Sequence, residues 1–126
     1  MKWVYLSGPI TGMPDGNRVA FAEAEKIMMR VVDGVGSVLT PFDVVMPQDA
    51  AGGVINPADA VVDVAEPTWA DYMRECLCML AKCDTIAMLD GWEKSRGARL
   101  ELHVALKLGL RVVFVRDFVK GADCER

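Results

Sequence analysis

Four short apolar runs separated by three amphipathic segments constrain this chain more than any other feature. The runs Lys2–Ser7, Ser37–Thr40, Asp84–Leu89 and Arg111–Val115 read as strands. The segments between them carry apolar residues at helical spacing. The order β-α-β-α-β-α-β implies a parallel sheet with right-handed crossovers. The expected fold is α/β and Rossmann-like, with the flavodoxin-like strand order 2-1-3-4 and helices on both faces. Residues 1–116 form its single domain and 117–126 a C-terminal tail or subunit contact. In that order the chain switches direction between the first and third strands. The loops that follow them, Gly8–Gly16 and Asp90–Gly97, then line one crevice.

The local signals agree with this frame. Asn17 is placed to cap the first helix, whose apolar stripe is Phe21, Ala24, Met28 and Val31, and Gly34 and Gly36 end it. Thr68 caps the second helix, which runs to about Lys82, with Asp71 in its first turn. Its inward face is Trp69, Met73, Cys76, Leu77 and Leu80, opposite Asp71, Arg74, Glu75, Cys78 and Lys82. The third helix continues to about Leu108 and ends at Gly109. Between the second strand and second helix, Phe42–Pro67 reads as a long irregular segment with Gly52-Gly53 at its middle. A segment this long in a small domain is either a lid over a site or a disordered insertion. Val61–Val64 is placed to form a short extra strand.

One residue breaks the pattern of the third helix. On a wheel of about 3.6 residues per turn, Arg96, Arg99, His103 and Lys107 share a wet stripe. Ala98, Leu102, Ala105 and Leu108 face the other way, and Glu101 sits among them. A carboxylate on an apolar face is costly without partners. It either accepts hydrogen bonds as part of the scaffold or serves a reaction. Glu101 also lies near the carboxyl end of the preceding strand, the edge where open α/β sheets hold ligands. The loop Gly8–Gly16 carries three glycines and two prolines. It lets backbone approach a ligand closely, or is a plain turn. It lacks the Gly-Lys-Ser/Thr ending of a phosphate loop and the G-x-G-x-x-G pattern.

Composition narrows the function classes. The formal net charge is −4 and the pI near 4.9, which disfavours a nucleic-acid polymer as partner. No apolar run approaches the roughly 18 residues of a membrane span, and the N-terminus turns too soon for a signal peptide. A cytoplasmic protein without membrane association is expected. Cys76, Cys78, Cys83 and Cys124 match no common zinc spacing and read as reduced thiols. No metal and no cofactor is expected. His103 falls on the wet stripe, and no Ser-His-Asp set is apparent. The crevice offers one inward carboxylate, Ser95, backbone amides flanked by glycine, and aromatics at Tyr5, Trp69 and Trp92. A single carboxylate suits attack on an anomeric carbon, flat aromatics suit a nucleobase, and amides at a helix start suit a phosphate.

Tyr5-Leu6-Ser7-Gly8-Pro9-Ile10, the Cys83-Asp84 pair, and Gly91-Trp92, Ser95, Gly97-Ala98, Glu101 and Ala105 resemble the nucleoside 2-deoxyribosyltransferase superfamily. The look is closest to a phage-associated branch of unknown function and extends to the 2′-deoxynucleoside 5′-phosphate N-hydrolases. It covers most of residues 2–115 and is loose over Phe42–Pro67. The resemblance implies that Glu101 is the nucleophile on C1′ of a deoxyribose and that Tyr5 sits beside it. It implies that Ser7, Gly8, Pro9, Ile10, Gly12, Asp90, Trp92, Ser95, Gly97 and Ala98 bind substrate. Ser95, with Arg96 nearby, favours a 5′-monophosphate over a free nucleoside. Relatives are homodimers or larger, so a homo-oligomer is expected.

One position departs from the family. Relatives carry an aspartate eight residues ahead of the position of Asp84, where it helps handle the leaving base; here that residue is Cys76. The acid is then missing, or supplied by the long segment through Asp43 or Asp63. The expected function is cleavage or exchange of the N-glycosidic bond of a 2′-deoxynucleoside or its 5′-monophosphate. A nucleotide-binding sensor or sequestering protein without catalysis is the alternative, and a structural subunit with an empty crevice a third.

Overall fold

A computed structural model of the chain describes residues 2–10, 12–32, 36–39, 52–59, 66 and 68–119. It contains β1 (Trp3–Ser7), α1 (Arg18–Met29), β2 (Gly36–Leu39), β3 (Gly52–Ile55), α2 (Trp69–Leu80), β4 (Thr85–Met88), α3 (Arg96–Leu108) and β5 (Arg111–Phe114). The five strands form one parallel sheet in the order β2-β3-β1-β4-β5. The four strands expected from the sequence keep their order, 2-1-3-4. The fifth, Gly52–Ile55, lies inside the segment that reads as irregular, and it is wedged between the outermost strand and β1. Two glycines and two apolar residues carry no periodicity. This strand exists because β1 and β2 bond it from both sides. The first helix ends at Met29, before Gly34, and Gly36 already opens β2. The expected strand at Val61–Val64, Gly34, Asp43, Asp63 and Cys124 lie outside the described residues.

Alternation along the strands divides the core into two layers. Trp3, Tyr5, Ile86 and Met88 face α2 and α3, where they meet Cys76, Leu80, Ala98 and Ala105. Val4, Leu6, Ala87 and Leu89 face α1 and its Phe21, Ala24 and Met28. Each layer has apolar side chains at zero or near-zero exposure. Val115–Phe118 forms a short 3-10 turn after β5, and Phe118 packs against the α1 layer.

Caps set the helix positions. Thr68 and Asp71 make a reciprocal capping box at α2, with Asp71 N–H donating to Thr68 Oγ1 at 3.1 Å and Thr68 N–H to Asp71 Oδ2 at 3.0 Å. Ser95 Oγ accepts from Ala98 N–H at 3.1 Å at the start of α3. Asn17 differs from expectation. It stands before α1 in the left-handed region and makes no side-chain cap. Its amide instead donates to Pro9 O at 2.9 Å, which ties the loop after β1 to the helix start. Leu108 also differs: it is exposed at the last turn of α3, beyond the reach of the core.

Asp84 joins the amino-terminal edges of β1 and β4. Its carboxylate accepts from Lys2 N–H at 2.9 Å, Trp3 N–H at 3.0 Å and Thr85 Oγ1 at 2.6 Å. Burial works against its charge, but these donors prevail and hold its pKa below the ordinary aspartate value. Among the described residues no helix is long and apolar enough to cross a membrane.

Candidate functional site

At the opposite, carboxyl edge of the sheet lies a cavity of about 580 Å³. Its walls are the loops after β1 and β4 and the first turns of α2 and α3. The loops meet closely: a Cβ on Gly8 would lie 2.8 Å from Leu89 Cβ, so only glycine fits there. The third wall comes from the inserted strand. β3 is followed by Asn56, whose side chain accepts from Ala58 N–H at 2.9 Å and donates to Glu25 at 3.0 Å. That turn presents Pro57 to the cavity, and the Tyr72 hydroxyl donates to the Pro57 carbonyl. Part of the long segment is therefore a wall of the site.

Glu101 lies at the floor, 5% exposed. Tyr5 and Ser7 are two apart on β1 and so face the same side of the sheet as α3. The Tyr5 hydroxyl donates to Glu101 Oε2 at 2.8 Å, and the Ser7 hydroxyl to Oε1 at 2.6 Å. Each carboxylate oxygen thus has one short donor, and among the described residues no cation pairs with it. Burial pushes the Glu101 pKa up to about 7, against the two hydroxyls, which lower it. The same burial, with the Glu101 charge next in weight, raises Tyr5 well above its ordinary value. Cys76 is fully buried in the α2 wall, within the field of Glu101 and in hydrogen-bonding reach of Tyr5 and Tyr72. Burial first, and the Glu101 charge second, push its thiol up to about 12. At neutral pH it is a neutral thiol next to a carboxylate near its titration midpoint.

The residues singled out in the sequence do not all gather here. Gly8, Pro9, Ile10, Asp90, Ser95, Gly97 and Ala98 line the cavity with Glu101. Tyr5 and Ser7 stand behind the carboxylate and hold it. Gly12 is exposed and is not part of the lining. Trp92 lies elsewhere. The 3-10 turn Trp92–Lys94 carries its ring to a smaller crevice of about 350 Å³, where it meets Phe114 at 6.4 Å between centroids. Asp90 borders both crevices, and Arg116 pairs with it at 2.8 Å. Met13 and Lys94, within the two expected loops, also line the cavity, whereas sequence reasoning missed Pro57, Tyr72 and Met73. Tyr72 and Met73 were legible as neighbours of Cys76 on the helix that approaches the crevice; Pro57 gave no signal.

The arrangement suits nucleophilic chemistry by one carboxylate shielded from water, with a flat-walled, largely apolar space above it. Among the described residues no three His, Cys, Asp or Glu side chains gather as a metal site. No curated protein and no solved structure matches the chain. The profile of a domain of unknown function, DUF4406, matches residues 2–114, and the chain belongs to that family.

Proposed function

We propose that the protein cleaves or exchanges the N-glycosidic bond of a 2′-deoxynucleoside or its 5′-monophosphate. The observation that carries this reading is Glu101: a single buried carboxylate on the floor of a ligand-sized cavity, each oxygen held by one hydroxyl. The resemblance to nucleoside 2-deoxyribosyltransferases at Tyr5–Ile10 and at Gly91–Ala105 supports it.

In this reading Glu101 attacks C1′ from the face opposite the base. The C1′–N bond breaks, and its electron pair leaves with the base, which takes up a proton. Water or a second base then attacks C1′ and releases Glu101. Tyr5 and Ser7 fix both oxygens of the carboxylate, so that little reorganisation is needed as its charge moves onto carbon. Ser95, Lys94 and Arg96 at the cavity mouth favour a substrate with a 5′-phosphate. Self-association through the exposed Leu106 and Leu108 at the end of α3 belongs to the same reading, and sedimentation would test it.

Cys76 favours a second reading, nucleotide binding with little or no turnover. A thiol held near 12 is a poor donor to a leaving base. The test is incubation with each 2′-deoxynucleoside and each 5′-monophosphate, with and without a second free base. Released base is read by chromatography and binding by calorimetry. Base release that is slow but dependent on Glu101 is the expected result. Binding with none leaves the second reading; neither binding nor release rejects both.

A further inference from the structure

Trp69 is the first residue of α2 and Arg96 the first of α3. The two helix starts come together at Gly97, where a Cβ would lie 3.2 Å from Met73 Sδ and 3.8 Å from Trp69 Nε1. That approach lays the Arg96 guanidinium on the indole, with Cζ 3.7 Å from the ring centroid. Both side chains line the cavity. A guanidinium stacked by its face keeps its N–H donors at its edge, available to an acceptor. Among the described residues no carboxylate pairs with Arg96, whereas Asp90, the acid at the same mouth, is engaged by Arg116 at 2.8 Å. Among the described residues the charge left uncommitted at the mouth is therefore positive, on Arg96 and Lys94. The indole face that Arg96 covers is closed to a nucleobase.

We propose that Trp69 is a positioning residue that holds the Arg96 guanidinium at the cavity mouth as the donor selecting a phosphate-bearing ligand. For the rest of that ligand the proposal rests on the nucleotide reading above. It assigns Trp69 to the phosphate end of the substrate and not to its base.

The test measures binding of a 2′-deoxynucleoside, its 5′-monophosphate and inorganic phosphate by calorimetry. The proteins are wild type, Arg96→Leu, Trp69→Leu, Trp69→Phe and the Arg96→Leu/Trp69→Leu pair, each checked for folding by thermal unfolding. Wild type is expected to prefer the monophosphate, and Arg96→Leu to lose most of that preference. Trp69→Leu should weaken the monophosphate about three- to tenfold, the range of a cation–π contact, and leave the nucleoside unchanged. Trp69→Phe should restore most of the loss. In the Arg96→Leu background Trp69→Leu should add nothing. Equal losses for nucleoside and monophosphate, or additive losses in the double variant, overturn the proposal. A wild type that binds both nucleosides and monophosphates alike overturns it and leaves the glycosidic reading standing. Binding of phosphate without nucleotide, with the same dependence on both residues, keeps it and sinks the nucleotide reading. A wild type that binds none of the three sinks both.

Discussion

The two edges of the sheet use a carboxylate in opposite ways. At the amino edge, Asp84 is exposed and collects two backbone N–H groups and a hydroxyl, which lower its pKa. At the carboxyl edge, Glu101 is buried with two hydroxyls, and its pKa rises to about 7. Asp84 stabilises the fold by being charged. The charged form of Glu101 destabilises it, because burial disfavours that charge. A protein keeps such a residue where burial serves something other than stability, and that contrast is the physical basis for reading Glu101 as functional.

The largest expected effect breaks the contrast at its functional end. Glu101→Gln is nearly isosteric, but an amide does not attack C1′. Base release should fall by several orders of magnitude, as for a missing nucleophile, while the midpoint of thermal unfolding at pH 7 stays level or rises. A variant that keeps its activity, or one that unfolds, makes Glu101 a second scaffold acid.

Cys76→Asp sharpens the same end. It restores an acid beside Tyr5 and should raise base release about tenfold or more, within the range of general acid catalysis. It should cost about 1–3 kcal/mol for an imperfectly paired buried carboxylate. A wild type that turns over well and is crippled by Cys76→Asp would show that the proton comes from another part of the chain.

pH separates the edges by sign. Folded Glu101 holds its proton up to about pH 7, while in the unfolded chain the group titrates near 4.5. Its contribution to stability is thus full below about 4.5 and is lost as pH rises through about 7. At about 1.4 kcal/mol per unit, the change is on the order of 3 kcal/mol. Denaturant unfolding across that window should show the decline in wild type and its absence in Glu101→Gln. Turnover should run the other way, rising through about pH 7 as the nucleophile ionises. Asp84 has the opposite sign: its stabilisation is present above the ordinary aspartate range and lost in acid below it.

The smallest effect is at Asp84. Asp84→Asn should lower stability by about 1 kcal/mol, for weakened hydrogen bonds to a charged acceptor that is largely solvated. Base release per folded molecule should not change. Lost activity in a folded Asp84→Asn variant would remove the distinction between the edges.

Much of this was legible in the sequence because it depends on local pattern. Glu101 stood out among Ala98, Leu102 and Ala105, and the capping box of Thr68 and Asp71 follows from side chains three residues apart. The carboxyl-edge crevice follows from strand order. What was hidden depends on partners distant in the chain. Gly52–Ile55 becomes a strand because two others flank it. Trp92 leaves the cavity because a 3-10 turn carries its ring toward Phe114. Asn17 gives its amide to Pro9 O and does not cap its helix. Ser7 was legible as a site residue, but its hydroxyl on Glu101 emerged only with the register of β1 against α3.

The most direct test of Glu101 as nucleophile is a search for the covalent intermediate. Wild type is quenched in acid after incubation with a 2′-deoxynucleoside 5′-monophosphate, digested with trypsin and examined by mass spectrometry. The informative peptide is Leu100–Lys107, bounded by Arg99 and Lys107. The expected result is a deoxyribosyl-phosphate adduct on Glu101 in that peptide, absent from Glu101→Gln. An adduct on another residue, or base release that persists in Glu101→Gln, would contradict it.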